Sequence, residues 1–166
     1  MKFQTHLYRH TFTSPLGPMT VAAHDTALVG VWFDGQQHQP GFDTWTPADA
    51  HAILREASAQ LLAYFAGQRL TFDLPLDFEG GTPFQQAVWH ALCGIPRGTT
   101  VSYGTISERI GKPTAVRAVG TAIGRNPLGV VVPCHRVVGA NGSMTGYAGG
   151  LDRKIALLTL EGSLCL

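Results

Sequence analysis

The sequence predicts an α+β protein of two lobes, a strand meander closed by one helix and then a helical half built around a helix-turn-helix. Three observations carry that prediction. Short β-prone runs separated by turn residues occupy the first residues of the 166-residue chain. Gly80-Gly81 stands directly before a strong helix start. Beyond it, apolar residues recur at helical spacing in successive segments. With 45% apolar and 14% charged residues, the chain has enough hydrophobic material for a core and too much to stay disordered.

In residues 1–80, Tyr8 to Phe12, Met19 to Ala23 and Leu28 to Phe33 read as a three-stranded antiparallel sheet. Turn chemistry at Ser14-Pro15-Leu16-Gly17 and His24-Asp25-Thr26 separates the strands. Thr46-Pro47-Ala48-Asp49 is expected to open a helix, with Thr46 as cap, Pro47 in the first turn and Asp49 favourable to the dipole. Ile53, Ala57, Leu61 and Tyr64 share one face of it until Gly67. Trp32, Trp45 and the histidines here read as packing and surface residues, and no chemistry is assigned to this lobe.

Residues 81–166 form the second lobe. Thr82 and Gln85 have capping-box spacing, and Phe84, Val88 and Leu92 give that helix its buried face. Ser102 can cap a short helix through Ile110, Gly111-Lys112-Pro113 breaks it, and Thr114 to Gly124 restarts with Ala115, Val119, Ala122 and Ile123 as its apolar side. Two helices joined by a short Gly-containing turn have the shape of a helix-turn-helix, a weak signal alone because helix pairs are common. Arg117 is expected on the exposed face of the second helix, with Arg125 just beyond its end. Leu128 to Val132 reads as a short buried strand, and Leu151 to Glu161 as a last helix with a Leu151, Ile155, Leu158 core stripe.

Twelve Lys and Arg against 11 Asp and Glu give a net charge of +1, which excludes a polybasic tail or an acidic solvating chain. No apolar h-region follows Lys2, and no stretch approaches a membrane span, so the expectation is a soluble, cytoplasmic protein. Three cysteines, Cys93, Cys134 and Cys165, are an odd count without a C-x-x-C pair, which points to free thiols in a reducing compartment. The scattered histidines show no zinc-ligand spacing, so no structural metal is expected.

The predicted strand delivers Pro133-Cys134-His135-Arg136. A free thiol is only a few per cent thiolate at neutral pH, so a nucleophilic cysteine needs a base or a positive environment. His135 can serve directly or through a water, with a carboxylate behind it to fix its tautomer. Glu161 is the carboxylate to consider, because an acidic residue at a helix C-terminus opposes the dipole and needs another reason to be there. A lone buried cysteine is usually inert, and Cys93 and Cys165 are read that way. For Cys134, inert packing and nucleophile stand about level.

Pro133-Cys134-His135-Arg136-Val137 closely resembles the active-site motif of the methylated-DNA–protein-cysteine methyltransferases, which remove alkyl groups from the 6-oxygen of guanine. Ser102-Tyr103-Gly104, Arg117-Ala118-Val119-Gly120, Asn126-Pro127, Thr145 to Gly150 and Leu160-Glu161-Gly162 match the same family in order and at compatible spacing. The resemblance covers nearly all of 82–162; in the first lobe it is confined mainly to the Ser-Pro-Leu-Gly-Pro turn and the Tyr-Phe-Ala-Gly helix end.

The resemblance implies a ribonuclease-H-like first lobe, a winged-helix-like second lobe, and single-turnover transfer to Cys134 from 6-O-alkylguanine and from 4-O-alkylthymine in duplex DNA. His135 is then the base acting through a water, Glu161 its orienter, and Asn126 the hinge between recognition helix and active site. Tyr103 helps to rotate and hold the flipped base and is suited to protonate the leaving guanine. Arg117 is the finger that replaces the flipped base, in a DNA surface with Thr114, Ala115, Gly120 and Arg125. Val137, Met144, Tyr147, Ala148 and Gly149 line the guanine pocket. Ala148 stands where some relatives carry Ser, so no side-chain hydrogen bond to the guanine oxygen is available there. The zinc ligands of eukaryotic relatives are missing. No cofactor is implied, the partner is alkylated double-stranded DNA, and the protein is expected to be a monomer.

Two other readings compete. A cysteine hydrolase using Cys134 and His135 predicts turnover and leaves the Arg-bearing helix pair without a purpose. The other is a non-catalytic DNA-binding module, either a regulator or one of the alkyltransferase-like relatives that bind damage without repairing it; those relatives replace the acceptor cysteine, and this chain keeps Cys134. The charge also divides unevenly: residues 1–80 hold 4 Lys/Arg and 8 Asp/Glu, a net −4, and residues 81–166 hold 8 and 3, a net +5. The basic second lobe, with Arg97, Arg109, Lys112, Arg117 and Arg125 around the recognition element, is the one suited to a phosphate backbone.

Overall fold

The computed structural model describes residue 3 and residues 5–164. Contacts group the chain into two compact units: the chain up to Gly80 with Pro127–Val131, and Gly81–Asn126 with the chain from Val132 onward.

The first unit is a four-stranded sheet with one helix. Strands β1 (Tyr8–Ser14), β2 (Gly17–Ala23) and β3 (Leu28–Phe33) pair antiparallel, with Ser14 opposite Gly17 and Met19 opposite Phe33. Ser14 closes the first turn by accepting from the Leu16 N–H and donating to the Gly17 carbonyl. β3 is buried at every residue: helix α1 (Ala52–Phe65) lies against β1, β2 and β3, and Val29 and Trp32 of β3 belong to a separate cluster against which Phe42 and Trp45 pack.

The expected helix start at Thr46 is incorrect. Thr46–Pro47 is a short fourth strand, β4, parallel to β1 and giving the order β3-β2-β1-β4. Proline suits an edge strand as well as a first helical turn. The helix begins at Ala52 with His51 as a cap that makes no side-chain bond. Its buried face is Leu54, Ala57, Gln60, Leu61 and Tyr64, with Ile53 only half-buried. Gln60 is covered because its amide exchanges two hydrogen bonds with the Asp73 backbone. Trp32 is buried in a cluster with Leu7, Ala22 and Val29, against which Phe42 and Trp45 pack.

Leu128 to Val132 is not a strand. Leu128 makes one parallel bridge to Val31, and the chain then turns through Val130 at φ 70, a conformation unusual for a β-branched residue. β-Propensity identified an apolar buried segment but not the turn inside it.

The second unit carries four helices among the described residues: α2 (Pro83–Cys93), α3 (Tyr103–Arg109), α4 (Val116–Gly124) and α5 (Leu151–Leu160). The capping box at α2 is present, with Gln85 N–H donating to Thr82 Oγ1 and Thr82 N–H to Gln85 Oε1. Gly81 is required for packing rather than flexibility, since a Cβ there would lie 2.3 Å from the Trp89 ring. Trp89 in turn donates to the Ala122 carbonyl at 2.8 Å and joins α2 to α4.

Ser102 caps α3 by accepting from the Thr105 N–H. Thr114 and Ala115, expected in the second helix, instead belong to the connection, and α4 starts at Val116. Strands β5 (Val101–Ser102) and β6 (Val137–Val138) form a two-residue parallel pair. In α5, Leu151 is 43% exposed, and the buried positions are Lys154, Leu157 and Leu158, with Glu161 as C-cap. The expected Leu151, Ile155, Leu158 stripe is therefore off by a fraction of a turn, because two of the four buried positions are charged. No helix of the described residues is long and apolar enough to cross a membrane.

Candidate active site

Pro133 leads into a single 3-10 turn, Cys134–Arg136, whose N–H groups bond backward: Cys134 to the Val132 carbonyl at 2.8 Å and Arg136 to that of Pro133 at 3.0 Å. Asn126, buried just beyond α4, donates to the Val132 carbonyl at 2.9 Å and also hydrogen-bonds the Cys134 thiol. Cys134 is 8% exposed, and burial pushes its thiol above the ordinary range. The Asn126 bond, the Lys154 charge and the Cys134 and His135 N–H groups oppose this without reversing it. The resting sulfur is a protonated thiol.

His135 Nε2 lies 2.5 Å from Glu161 Oε1. Arg136 grips the same carboxylate, Nε to Oε2 at 2.7 Å and Nη2 to Oε1 at 3.0 Å, while its Nη1 donates to the Ile95 carbonyl at 2.7 Å. With Glu161 held as an anion by a guanidinium, Nε2 carries the imidazole proton and Nδ1 keeps its lone pair. Nδ1 is buried and has no partner among the described residues. Burial holds His135 below its ordinary range; Glu161 pulls it back up, and Arg136 and Lys154 add to the depression. A neutral imidazole with a free lone pair, on the residue next to a protonated thiol, can take the sulfur's proton through a water as the sulfur attacks.

Lys154 sits on α5 at 1% exposure, its ammonium donating to the Val137 carbonyl at 2.6 Å and the Thr145 carbonyl at 3.3 Å. Burial lowers its affinity for a proton, and a thiolate at Cys134 would raise it. Thr145 reaches the Tyr103 hydroxyl at 2.7 Å, and the Tyr103 ring lies against Gly120 of α4, where a Cβ would stand 3.7 Å away in ordinary contact. Val137 is buried, Gly149 is buried, and Met144, Tyr147 and Ala148 are half-buried on the segment leading into α5.

The structure therefore brings Cys134, His135, Glu161 and Asn126 into one cluster and puts Tyr103, Gly120 and Thr145 in another. Arg117, Thr114 and Ala115 belong elsewhere, along an open groove of about 660 Å³ also lined by Phe84, Gln85 and Thr121. Arg117, Thr114 and Arg125 are exposed and Ala115 is half-buried. Arg97 is spent on a bond to the Leu160 carbonyl at 3.2 Å. Cys93, expected to be buried packing, is exposed at the end of α2 with its thiol donating to the Trp89 carbonyl. Cys165 lies outside the described residues. No group of three or more His, Cys, Asp or Glu that could hold a metal stands together among the described residues.

Arg136, Lys154 and Thr145 carry the geometry and were given no individual role from sequence. For Lys154 a signal existed, since its spacing of seven from Glu161 puts both on one helix face. Charged residues are ordinarily counted as the solvent side, which hides such a pattern.

Residues 83–163 match the family described as 6-O-methylguanine DNA methyltransferase, DNA binding domain, and residues 7–78 match its ribonuclease-like domain. A methylated-DNA–protein-cysteine methyltransferase of Mycobacterium tuberculosis is 50% identical over 157 residues, 95% of this chain and 93% of the relative. One from Methanosarcina acetivorans is 50% identical over 158 residues, 95% and 99% of the two chains. Among solved structures, M. tuberculosis OGT in complex with DNA aligns with a TM-score of 0.86 at 49% identity, covering 94% of this chain and 93% of that one. The methyltransferase of Pyrococcus kodakaraensis aligns with a TM-score of 0.63 at 26% identity, over 94% and 99% of the chains.

Proposed function

The chain belongs to the methylated-DNA–protein-cysteine methyltransferase family, and from that premise we propose that Cys134 is its alkyl acceptor, with His135 as base and Glu161 and Asn126 as positioning residues. The protein is a DNA-repair methyltransferase that moves the alkyl group of 6-O-methylguanine to a cysteine of its own. The observation that carries the assignment of roles is the buried His135–Glu161 contact beside the buried Cys134.

The thiol proton passes through a water to His135 Nδ1, which has no partner of its own among the described residues, as sulfur attacks the alkyl carbon. The S–C bond forms, the C–O bond breaks, and guanine leaves with a negative charge that a proton must cancel. Tyr103, half-buried with its hydroxyl already in a hydrogen bond, supplies that proton to a ring nitrogen. The product is a thioether, which offers water no facile leaving group, so each molecule reacts once.

An alkyl group inside a duplex is beyond the reach of a buried sulfur, so the nucleotide must be flipped out at a cost of a few kcal/mol. Exposed Arg117 on α4, with Thr114, Ala115, Gly120 and Arg125, forms the DNA surface. The α3–α4 pair and the short β5–β6 pair support a winged-helix-like reading of this unit, and the net +5 of residues 81–166 supports salt-sensitive binding of double-stranded DNA. Val137, Met144, Tyr147, Ala148 and Gly149 line the base pocket, where Ala148 leaves recognition of the guanine oxygen to backbone groups. A monomer in the cytoplasm, acting also on 4-O-alkylthymine, completes the proposal.

The test is incubation with a duplex carrying 6-O-methylguanine, followed by peptide mass spectrometry. The expected result is one added methylene on the peptide containing Cys134, at no more than one equivalent. A different modified residue, or repeated turnover, sinks the assignment.

A further inference from the structure

We infer that the Thr145 hydroxyl is a positioning and charge-stabilising group for Tyr103, held in place by the buried Lys154 ammonium; this rests on the reading of Tyr103 as proton donor to the leaving guanine. Tyr103 is fixed from two sides. Its ring lies against Gly120 of α4, close enough that an added Cβ would touch Cδ1 at 3.7 Å and Cε1 at 3.8 Å. Its hydroxyl meets Thr145 Oγ1 at 2.7 Å, a short bond between partly buried groups.

Thr145 lies in a segment without regular secondary structure between β6 and α5, where a side chain is not placed by a ladder or a helix. Lys154 supplies the missing constraint. It is on α5, almost wholly buried, and donates to the carbonyls of Val137 and Thr145. One ammonium thus joins the backbone just after the Cys134 turn to the backbone of the residue that holds Tyr103.

The direction of the Tyr103–Thr145 bond follows from the chemistry. As guanine leaves, the phenol O–H bond breaks and a guanine N–H bond forms, and the phenol oxygen gains negative charge. The thiol proton taken by His135 leaves the compensating positive charge on the imidazolium, and solvent exchange later restores both groups. A phenol that gives its proton to the base cannot give it to Thr145, so Thr145 must donate to the phenol oxygen. That bond strengthens as the oxygen becomes charged, which makes it worth more in the transition state than at rest. Valine keeps the shape of threonine and lacks the donor; serine keeps the donor and lacks the methyl.

The experiment compares two reactions of Cys134 in wild type, Thr145→Val, Thr145→Ser, Tyr103→Phe and the double variant Thr145→Val with Tyr103→Phe. One is transfer from a duplex carrying 6-O-methylguanine; the other is alkylation by iodoacetamide, whose iodide leaves without a proton. The expected result for Thr145→Val is transfer slower by about tenfold, the loss of one hydrogen bond to a developing charge, with iodoacetamide reactivity within about twofold of wild type. Thr145→Ser should recover most of the transfer rate, and Thr145→Val should add no further loss to Tyr103→Phe. Equal slowing of both reactions would mean that Thr145 only maintains the fold of the site and overturns the inference. So would unchanged transfer in Thr145→Val, absence of rescue by serine, or additive losses with Tyr103→Phe. If Tyr103→Phe itself transfers at the wild-type rate, the proton-donor reading of Tyr103 fails first, and the inference goes with it.

Discussion

His135 Nε2 and Glu161 Oε1 stand 2.5 Å apart with both side chains wholly excluded from solvent. A carboxylate there is tolerable only because Arg136 holds it with two N–H groups, and Arg136 is in turn fixed by the Ile95 carbonyl. The ion pair of the site is thus Arg136 with Glu161. The imidazole beside it is held toward its neutral form by burial, and in the proposed reaction it would use the carboxylate for orientation and for stabilising the charge it acquires.

Breaking that arrangement on one side should cost stability and rate together. Glu161→Gln leaves Arg136 buried without its counter-charge, and the expected destabilisation is about 3 kcal/mol by urea unfolding, with transfer slower by at least about 100-fold. Glu161→Gln combined with Arg136→Met removes both charges and should recover part of the stability while transfer stays slow. Recovery of transfer along with stability would show that Glu161 supports the fold and not the imidazole.

The acid limb of the reaction should fall below the ordinary histidine range. Burial outweighs Glu161 and holds His135 under 6.5, so its neutral form persists below that pH and the transfer rate should be half-lost at a pH under 6.5. The same depression means the unfolded chain takes up a proton where the folded one does not, so His135 subtracts stability as pH falls through the interval below 6.5. The stability gap between wild type and His135→Asn should therefore narrow from about pH 7 to about pH 5. A midpoint above 6.5 would mean that Glu161, not burial, governs the imidazole.

The two halves of the chain differed in how much the sequence disclosed, and for physical reasons. Capping residues act within a few positions, so Thr82 and Ser102 were legible and the structure has both bonds. Thr46-Pro47 misled because proline at a helix start and proline on a sheet edge look alike until a partner strand is known. Leu128 to Val132 misled because β-branched composition reports burial, while the turn depends on a positive φ at Val130 that composition does not encode. In the site, the Cys134-His135 pair was visible because it is contiguous, and Glu161 because it opposes the helix dipole. The individual roles of Lys154 and Thr145 are hidden in the sequence because their partners are backbone carbonyls and a hydroxyl distant along the chain.

Removing the Lys154 charge should be felt at sulfur. Lys154→Met keeps an apolar chain of similar length, deletes the positive charge that favours the Cys134 thiolate, and leaves two carbonyls without their donor. Iodoacetamide alkylation of Cys134 near neutral pH should slow several-fold, and guanine transfer should slow at least as much. Because a costly buried charge is lost along with the bonds, the stability change should be smaller than for Glu161→Gln. Unchanged iodoacetamide reactivity would show that the charge does not reach the sulfur.

The role proposed for Arg117 separates DNA binding from the chemistry at Cys134. It is exposed on α4, in the groove with Phe84, Gln85, Thr114 and Thr121, and makes none of the contacts that hold Cys134, His135 or Glu161. A side chain that fills the gap left by a flipped base matters only where a base stack must be opened. Arg117→Ala should therefore slow transfer from duplex DNA by at least about tenfold, through the lost wedge, while transfer from free 6-O-benzylguanine in solution stays within about twofold. Loss of one cation from the DNA surface should also reduce the slope of log affinity against log salt by about one. Equal losses on duplex and free base would place Arg117 in the reaction itself, and an unchanged salt slope would remove it from the phosphate-facing surface.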